Sequence, residues 1–401
     1  MIPWLAILGI GEDGVDGLSD EARRLLGAAG LVVGGARHLA LARGLIAGEC
    51  RPWSSPLTDT LDVLLARRPE PTVVLASGDP FWFGVGSTLL RRMPAGEMIC
   101  LPGRSCFSLA CAALGWGLET VATHSLCGRP LAALLPALQP GARLLVLCAD
   151  ATTPSAVAAL LRARGFGGST LHVMQALGGP RARIVTQTAD QALPETIDPL
   201  NLLAIELVAG HEAAVIPLAC GLDDALFAHD GQFTRREIRA LTLSALAPRQ
   251  GELLWDIGCG SGSVAIEWLL RHPANRAVAI ERDPVRAARA AGNAEALGVP
   301  GLSVCQGEAP AVLAKLPLPN AVFIGGGVTN PGVLDAACKA LSPGGRLVVN
   351  AVTTEAEVVL LTAQATYGGD LTRIGLDRLD SIGTMHALRP AMRITQWTWT
   401  K

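Results

Sequence analysis

A chain of 401 residues, half of them hydrophobic and 4% aromatic, is too long for one ordinary core and has apolar material enough for two. Its formal charge of −2 gives no global basic field for nucleic acid, and every apolar run of membrane-spanning length is broken by Gly, Pro or charge. The ten cysteines form no Cys-x-x-Cys pair and the histidines no metal-spaced pair, so neither a bound metal nor a disulfide framework is expected.

The N-terminal stretch MIPWLAILGIGEDG carries no basic leader and runs straight into a strand and turn, so a cytoplasmic chain is expected. Short β-type apolar runs then alternate with Ala/Leu-rich helical stretches, the pattern of an α/β protein with mostly parallel sheets. Strands are predicted at 4–9, 30–33, 73–76, 97–101, 143–148, 171–174 and 201–208, and helices at 20–28, 57–67, 85–92, 105–114 and 154–164. The stretch from Ala209 to Asp230, with Gly210, Pro217 and Gly221, breaks the rhythm and reads as a linker, dividing the chain into 1–209 and 210–401. A second series opens with a helix at 234–247, closed by Pro248 and Gly251. Strands follow at 252–257, 277–281, 302–305, 320–325 and 346–350, and extended segments near 371–377 and 391–399 form an antiparallel pair at the end of a doubly wound sheet.

The stretch LLWDIGCGSGSVAIEW (253–268) reads as buried strand, glycine turn and helix. Gly258 permits the tight turn, Gly260 lets a ligand approach the backbone, and Gly262 allows close packing of helix on strand. Free N–H groups at the helix start face the ligand. Glu281, ending the next strand, is placed to accept from ribose hydroxyls. A nicotinamide dinucleotide competes for such a loop. Asp256 decides against it, because a carboxylate there suits a cationic amino-acid end and sits badly beside a pyrophosphate. Glu308, after the strand LSVCQG, is placed to accept from an adenine amino group. The three acids together favour S-adenosylmethionine.

Residues 221–401 resemble the decarboxylating precorrin methyltransferase domains of cobalamin biosynthesis. The resemblance rests on GLDDALFAHDGQFTRREIRALTLSALAP, on the glycine loop, and on AIERDPVRAARAAGNAEALGV, the GEAP turn, AVFIGGG, LSPGGRLVVNAVTTEAE and AMRITQW. It implies a Rossmann-like class I methyltransferase sheet, in which Thr234, Ala309 and Gly325 also line the cofactor pocket. The first half carries ILGIGEDGVDGLSDEA (7–22), LVVGGARHL (31–39), LASGDPFWFGVG (75–86), LPGRSCFSLACAALG (101–115) and PLNLLAIEL (199–207). These blocks resemble the tetrapyrrole-methylase family, a two-lobed α/β fold that holds S-adenosylmethionine in a cleft. By that resemblance Gly9, Gly78, Asp79, Phe83 and Ser105 contact the cofactor. Two departures stand out: Cys127 occupies a histidine position in SLCGR (125–129), and Cys106 a serine position in PGRSC.

Together the resemblances imply one S-adenosylmethionine site per domain and a corrin precursor, precorrin-6B, as acceptor. Methylation at carbon 5 would fall to the first domain, and methylation at carbon 15 with loss of the ring C acetate carboxyl to the second, giving precorrin-8. An acceptor with many carboxylates calls for arginine clamps. Arg104, Arg129, Arg235, Arg236 and Arg239 are the candidates. His229 and Asn350 are the candidate catalytic side chains. The resemblance also implies a homo-oligomer, while the charge and the broken apolar runs give neither nucleic acid nor membrane as partner. The competing readings are an RNA base methyltransferase and a chain in which one domain is a non-catalytic binding module.

Overall fold

Strands apolar on both faces demand cover on both sides, and the first sheet shows this in its sequence and its burial. In the computed structural model, which describes residues 3–401, β1 (Leu5–Ile10) and β2 (Leu31–Gly34) are buried throughout, as is β4 (Thr72–Ser77) up to its last residue. With β3 (Glu49–Pro52) and β5 (Met98–Leu101) they form a parallel sheet of order β3-β2-β4-β1-β5. One face packs Leu8, Leu26 and Val73, the other Ile7, Leu61 and Leu89.

A second sheet follows, of β6 (Ala122–Ser125), β7 (Arg143–Leu147), β8 (Thr170–Gln175), β9 (Arg183–Thr188) and β10 (Asn201–Glu206), ordered β6-β7-β10-β8-β9. It departs from the expected parallel pattern. The strands β7 and β8 are joined through the helix Thr153–Ala163, and β10 enters between them running the opposite way. Since β9 also pairs antiparallel with β8, three of the four pairings are antiparallel.

The third sheet joins β11 (Leu253–Ile257), β12 (Arg276–Glu281), β13 (Ser303–Gln306), β14 (Ala321–Ile324), β15 (Arg346–Ala351), β16 (Asp370–Ile374) and β19 (Ile394–Thr400). Its order is β13-β12-β11-β14-β15-β19-β16, with β19 antiparallel to both neighbours. This is the doubly wound sheet with an antiparallel end that the sequence predicts. Between β16 and β19 lies a hairpin, β17 (Asp377–Ile382) and β18 (Met385–Pro390), which pairs only with itself. Asp283 caps the helix Pro284–Ala296 and Thr353 the helix Thr354–Tyr367, each accepting from first-turn N–H groups.

The chain divides into two units, residues through Leu131 with Ala137–Ala214, and Ala132–Pro136 with Val215–Lys401. The division falls just beyond 209/210 because Gly210 N–H donates to Gly165 O and Ala214 N–H to Arg164 O, which keeps 210–214 on the first unit. Among the described residues no helix is long and apolar enough to cross a membrane, and no group of three or more His, Cys, Asp or Glu is placed to hold a metal.

Candidate active sites

In the second unit a cavity of ≈ 1020 Å³ opens at the carboxyl ends of β11, β12, β14 and β15, where doubly wound sheets bind ligands. Gly258, Gly260 and Gly262 all take left-handed backbone, at φ +69, +57 and +75°. A Cβ on Gly258 would lie 2.8 Å from Gly326 O, so the turn packs directly on the IGGG backbone. Gly260 lies on the cavity wall, and its own N–H donates to Glu281 Oε2 at 3.0 Å. Gly262 is off the wall. A Cβ there would meet Ala290 at 3.0 Å, so this glycine admits the neighbouring helix Pro284–Ala296, whereas helix-on-strand packing was expected.

Glu281, Glu308, Ala309, Gly325 and Thr234 all face the cavity. Glu281 Oε1 accepts from Asp283 N–H, which fixes the carboxylate at the strand end. Asp256 lies beneath the loop and does not line the cavity. Its Oδ2 accepts from Ala265 N–H at 3.1 Å, while Oδ1 is buried without a partner. Burial, with the charge of Glu281 nearby, pushes this carboxyl up to about 7.

The remaining candidates scatter. Asn350 reaches the wall, but its Nδ2 donates to Thr242 Oγ1 and its Oδ1 accepts from Gln396, both at 2.9 Å. His229 is exposed and off the wall: Nδ1 accepts from Gly231 N–H, and the ring stacks at 4.1 Å on Phe233, which itself faces the cavity. Arg235 lines the mouth, with its guanidinium 4.8 Å above the Phe233 ring. Arg236 is exposed and off the wall.

Arg239 departs furthest from expectation, being fully buried. It pairs with the equally buried Glu267 and donates to Thr234 O and Leu222 O, while Glu267 also accepts from Gly221 and Leu222 N–H. With its donors committed inside the protein, it ties the segment before its helix to the core and cannot meet a substrate.

In the first unit a cavity of ≈ 380 Å³ lies between the two sheets, with Gly78, Asp79, Phe83, Arg104 and Ser105 on its wall. Gly9 is not on it. A Cβ there would stand 1.9 Å from Gly78 O and 2.2 Å from Gly103 N, so Gly9 lets the loops after β4 and β5 close onto β1 beneath the site. Ser105 caps the helix Cys106–Leu114 by accepting from Phe107 N–H at 3.2 Å. Phe83 adopts left-handed backbone at φ 58° and is 44% exposed, with the Arg129 guanidinium 5.0 Å above its ring. Strain of this kind in a non-glycine residue gathers at ligand sites. Arg104 is mostly exposed and paired with Asp13. Cys106 and Cys127 both face the cavity, and burial pushes the Cys106 thiol up to about 11.

Residue-by-residue reading missed a polar cluster at the carboxyl ends of β1, β2 and β4. Arg37 pairs with Glu12 and donates to Ser77 Oγ at 2.8 Å, and His38 Nε2 lies 2.8 Å from the same hydroxyl. Burial and Arg37 hold His38 down at about 4, so it is neutral at pH 7. The LVVGGARHL block contained Arg37 and His38 without distinguishing them from its glycines.

The glycine loop in a sheet of this order, with carboxylates at successive strand ends, defines a methyltransferase of the S-adenosylmethionine-dependent class. The residues fit that cofactor: Gly260 and Gly325 leave backbone exposed on the wall, Glu281 and Glu308 offer acceptors there, and Asp256 holds an unanswered buried oxygen beneath. Comparison with known proteins narrows the class. The family model for tetrapyrrole (corrin/porphyrin) methylases matches residues 5–193, and that for the precorrin methyltransferase domain matches 225–401. A precorrin-6Y C(5,15)-methyltransferase [decarboxylating] from Sinorhizobium sp is 55% identical over 399 residues, covering 100% of this chain and 97% of its own. One of the same description from Mycobacterium tuberculosis (strain CDC 1551 / Oshkosh) is 39% identical over 99% of this chain and 100% of its own. The crystal structure of the C-terminal domain of precorrin-6Y C5,15-methyltransferase from Rhodobacter capsulatus is 44% identical, with a TM-score of 0.44, and covers 46% of this chain and 100% of that chain. The chain belongs to the family of decarboxylating precorrin-6Y C(5,15)-methyltransferases. It is a decarboxylating methyltransferase of cobalamin biosynthesis, which displaces the RNA-methyltransferase reading.

Proposed function

We propose that each unit holds its own S-adenosylmethionine site, and that the acceptor of both is precorrin-6B. The first unit methylates carbon 5. The second methylates carbon 15 and removes the ring C acetate carboxyl, giving precorrin-8. The observation that carries this reading is a separate cavity in each unit, each set at strand carboxyl ends over its own glycine junction.

When bound, S-adenosylmethionine supplies an activated methyl on a sulfonium whose leaving group is already in place. In the second unit Glu281 and Glu308 hold its hydroxyl and amino groups, and Gly258 and Gly260 admit it to the backbone. In the first unit Gly78, Asp79 and Phe83 take that part. The nucleophile is an electron-rich carbon of the macrocycle, so neither unit needs a nucleophilic side chain. Holding donor and acceptor in line supplies roughly 7–11 kcal/mol of the barrier. Methylation at carbon 15 leaves an electron-poor ring carbon beside the acetate arm. The arm's C–C bond then breaks, its electrons flow into the ring, carbon dioxide leaves, and a proton completes the side chain.

Mass spectrometry of the product made by the full chain from precorrin-6B tests the assignment. Two methyls gained with one carbon dioxide lost is the expected result. Glu281→Ala should yield one methyl and no loss of carbon dioxide. Loss of carbon dioxide that survives Glu281→Ala unchanged overturns the assignment to the second unit.

A further inference from the structure

The cavity of the second unit is wider than its cofactor wall, and its far side is built from residues that the cofactor has no use for. The hairpin β17–β18 leaves the sheet there, its base closed by Ala391 N–H donating to Leu376 O at 2.8 Å. That base and the adjacent strand ends place Val352, Ile374, Leu376, Met392 and Ile394 together on the wall. Met392 is 77% exposed and Val352 51%, so this apolar side of the cavity is a shelf open to solvent. Four arginines line the cavity: Arg282 pairs with Glu308 and Arg286 with Asp230, beside the proposed cofactor acids, which leaves Arg235 and Arg378 for the far side. Arg235 lies over Phe233 and 3.6 Å from Asp224. Arg378, on the hairpin's first strand, donates to Glu237 Oε2 at 2.5 Å, which holds it in place while its remaining N–H groups stay available.

We infer that this shelf is the acceptor platform of the second unit, and that Arg378 is a specificity-determining residue that binds a carboxylate arm of the macrocycle lying on it. The inference rests on the assignment of the decarboxylating step to this unit. A flat ring system with apolar faces and an anionic rim is the complement of an apolar shelf edged by Arg235 and Arg378. Arginine suits the rim because its planar fork matches a carboxylate with two parallel bonds.

The test uses the full chain. R378Q should raise the KM for precorrin-6B in carbon dioxide release by at least about tenfold, leaving the S-adenosylmethionine Kd and carbon 5 methylation unchanged. R378K should recover only part of the loss, being a point charge without the fork. Met392→Glu, which puts a like charge on the shelf, should raise the same KM. R389Q is the control, because Arg389 carries the same charge on the same hairpin, is paired with Asp380 and lies off the wall. An R378Q KM within about twofold of the parent, or an R389Q shift as large as that of R378Q, overturns the inference. If the parent chain releases no carbon dioxide from precorrin-6B, the functional assignment fails by itself. The platform is then decided by the Kd of uroporphyrin, a stable flat polycarboxylate: weakening by R378Q and not by R389Q upholds it, and equal affinities sink it.

Discussion

Arg239 and Asp256 are both buried charges of the second unit, and burial treats them oppositely. The guanidinium of Arg239 is answered by Glu267 and two carbonyls, so removing it strands a carboxylate in the core. Arg239→Met should destabilise this unit by about 3–5 kcal/mol, read from denaturant unfolding. Asp256 keeps one oxygen unanswered, and its carboxyl titrates near 7 against an ordinary 3.8. Between those values the folded chain holds a proton that the unfolded chain has lost. The contribution to stability is therefore complete below pH 3.8, declines as pH rises and is gone above about 7. Asp256→Asn should flatten that decline. A cationic ligand end on the cavity side of the loop, acting on the carboxyl beneath it, favours the ionised form, so cofactor binding here should release a proton. Affinity should rise by up to about tenfold per pH unit below 7 and level off above it. Calorimetry in two buffers of different ionisation enthalpy reads the proton directly, and Asp256→Asn should abolish its release.

At the scale of elements, a strand and two loops meeting at one point make the first site. Gly9→Ala would drive a methyl into Gly78 O and Gly103 N and push β1 away from β4. Cofactor binding by the first unit should be lost while carbon dioxide release survives, which product mass distinguishes. Elements with two buried faces were plain in the sequence, since runs such as LLWDI and AVFI tolerate no other reading. The missed strands β3, β6 and β9 are sheet edges, half exposed and without an apolar run. Strand direction in the second sheet was illegible, because periodicity reports which faces are buried and is silent on what pairs with what. The same limit governs the sites. Gly258–Gly262 is a local pattern and could be read, whereas the role of Arg239 depends on Glu267 in another helix and that of Gly262 on Ala290. Arg378 stood in a polar stretch where Leu379, Ile382, Met385 and Leu388 fall three apart, so no strand-type alternation announced its hairpin.

For the whole molecule, two units with separate cores predict unfolding that is not two-state. Scanning calorimetry should resolve two transitions. Arg239→Met should lower one, Gly9→Ala the other, and each should leave its counterpart in place. A single transition moved by both substitutions would contradict independent cores.

The placement of β10 and β19 sets an order of events in time. Each is the last strand of its sheet along the chain, yet each lies between two strands made before it. A growing chain therefore carries an open slot in the second sheet until residue 206 emerges, and another in the third until residue 400 emerges. Contacts of such long range form slowly, and bare strand edges recruit other chains. A chain that stops before Ile394 should leave β15 and β16 unpaired toward each other and accumulate as aggregate, even though every strand-end residue proposed to hold the cofactor has already been made.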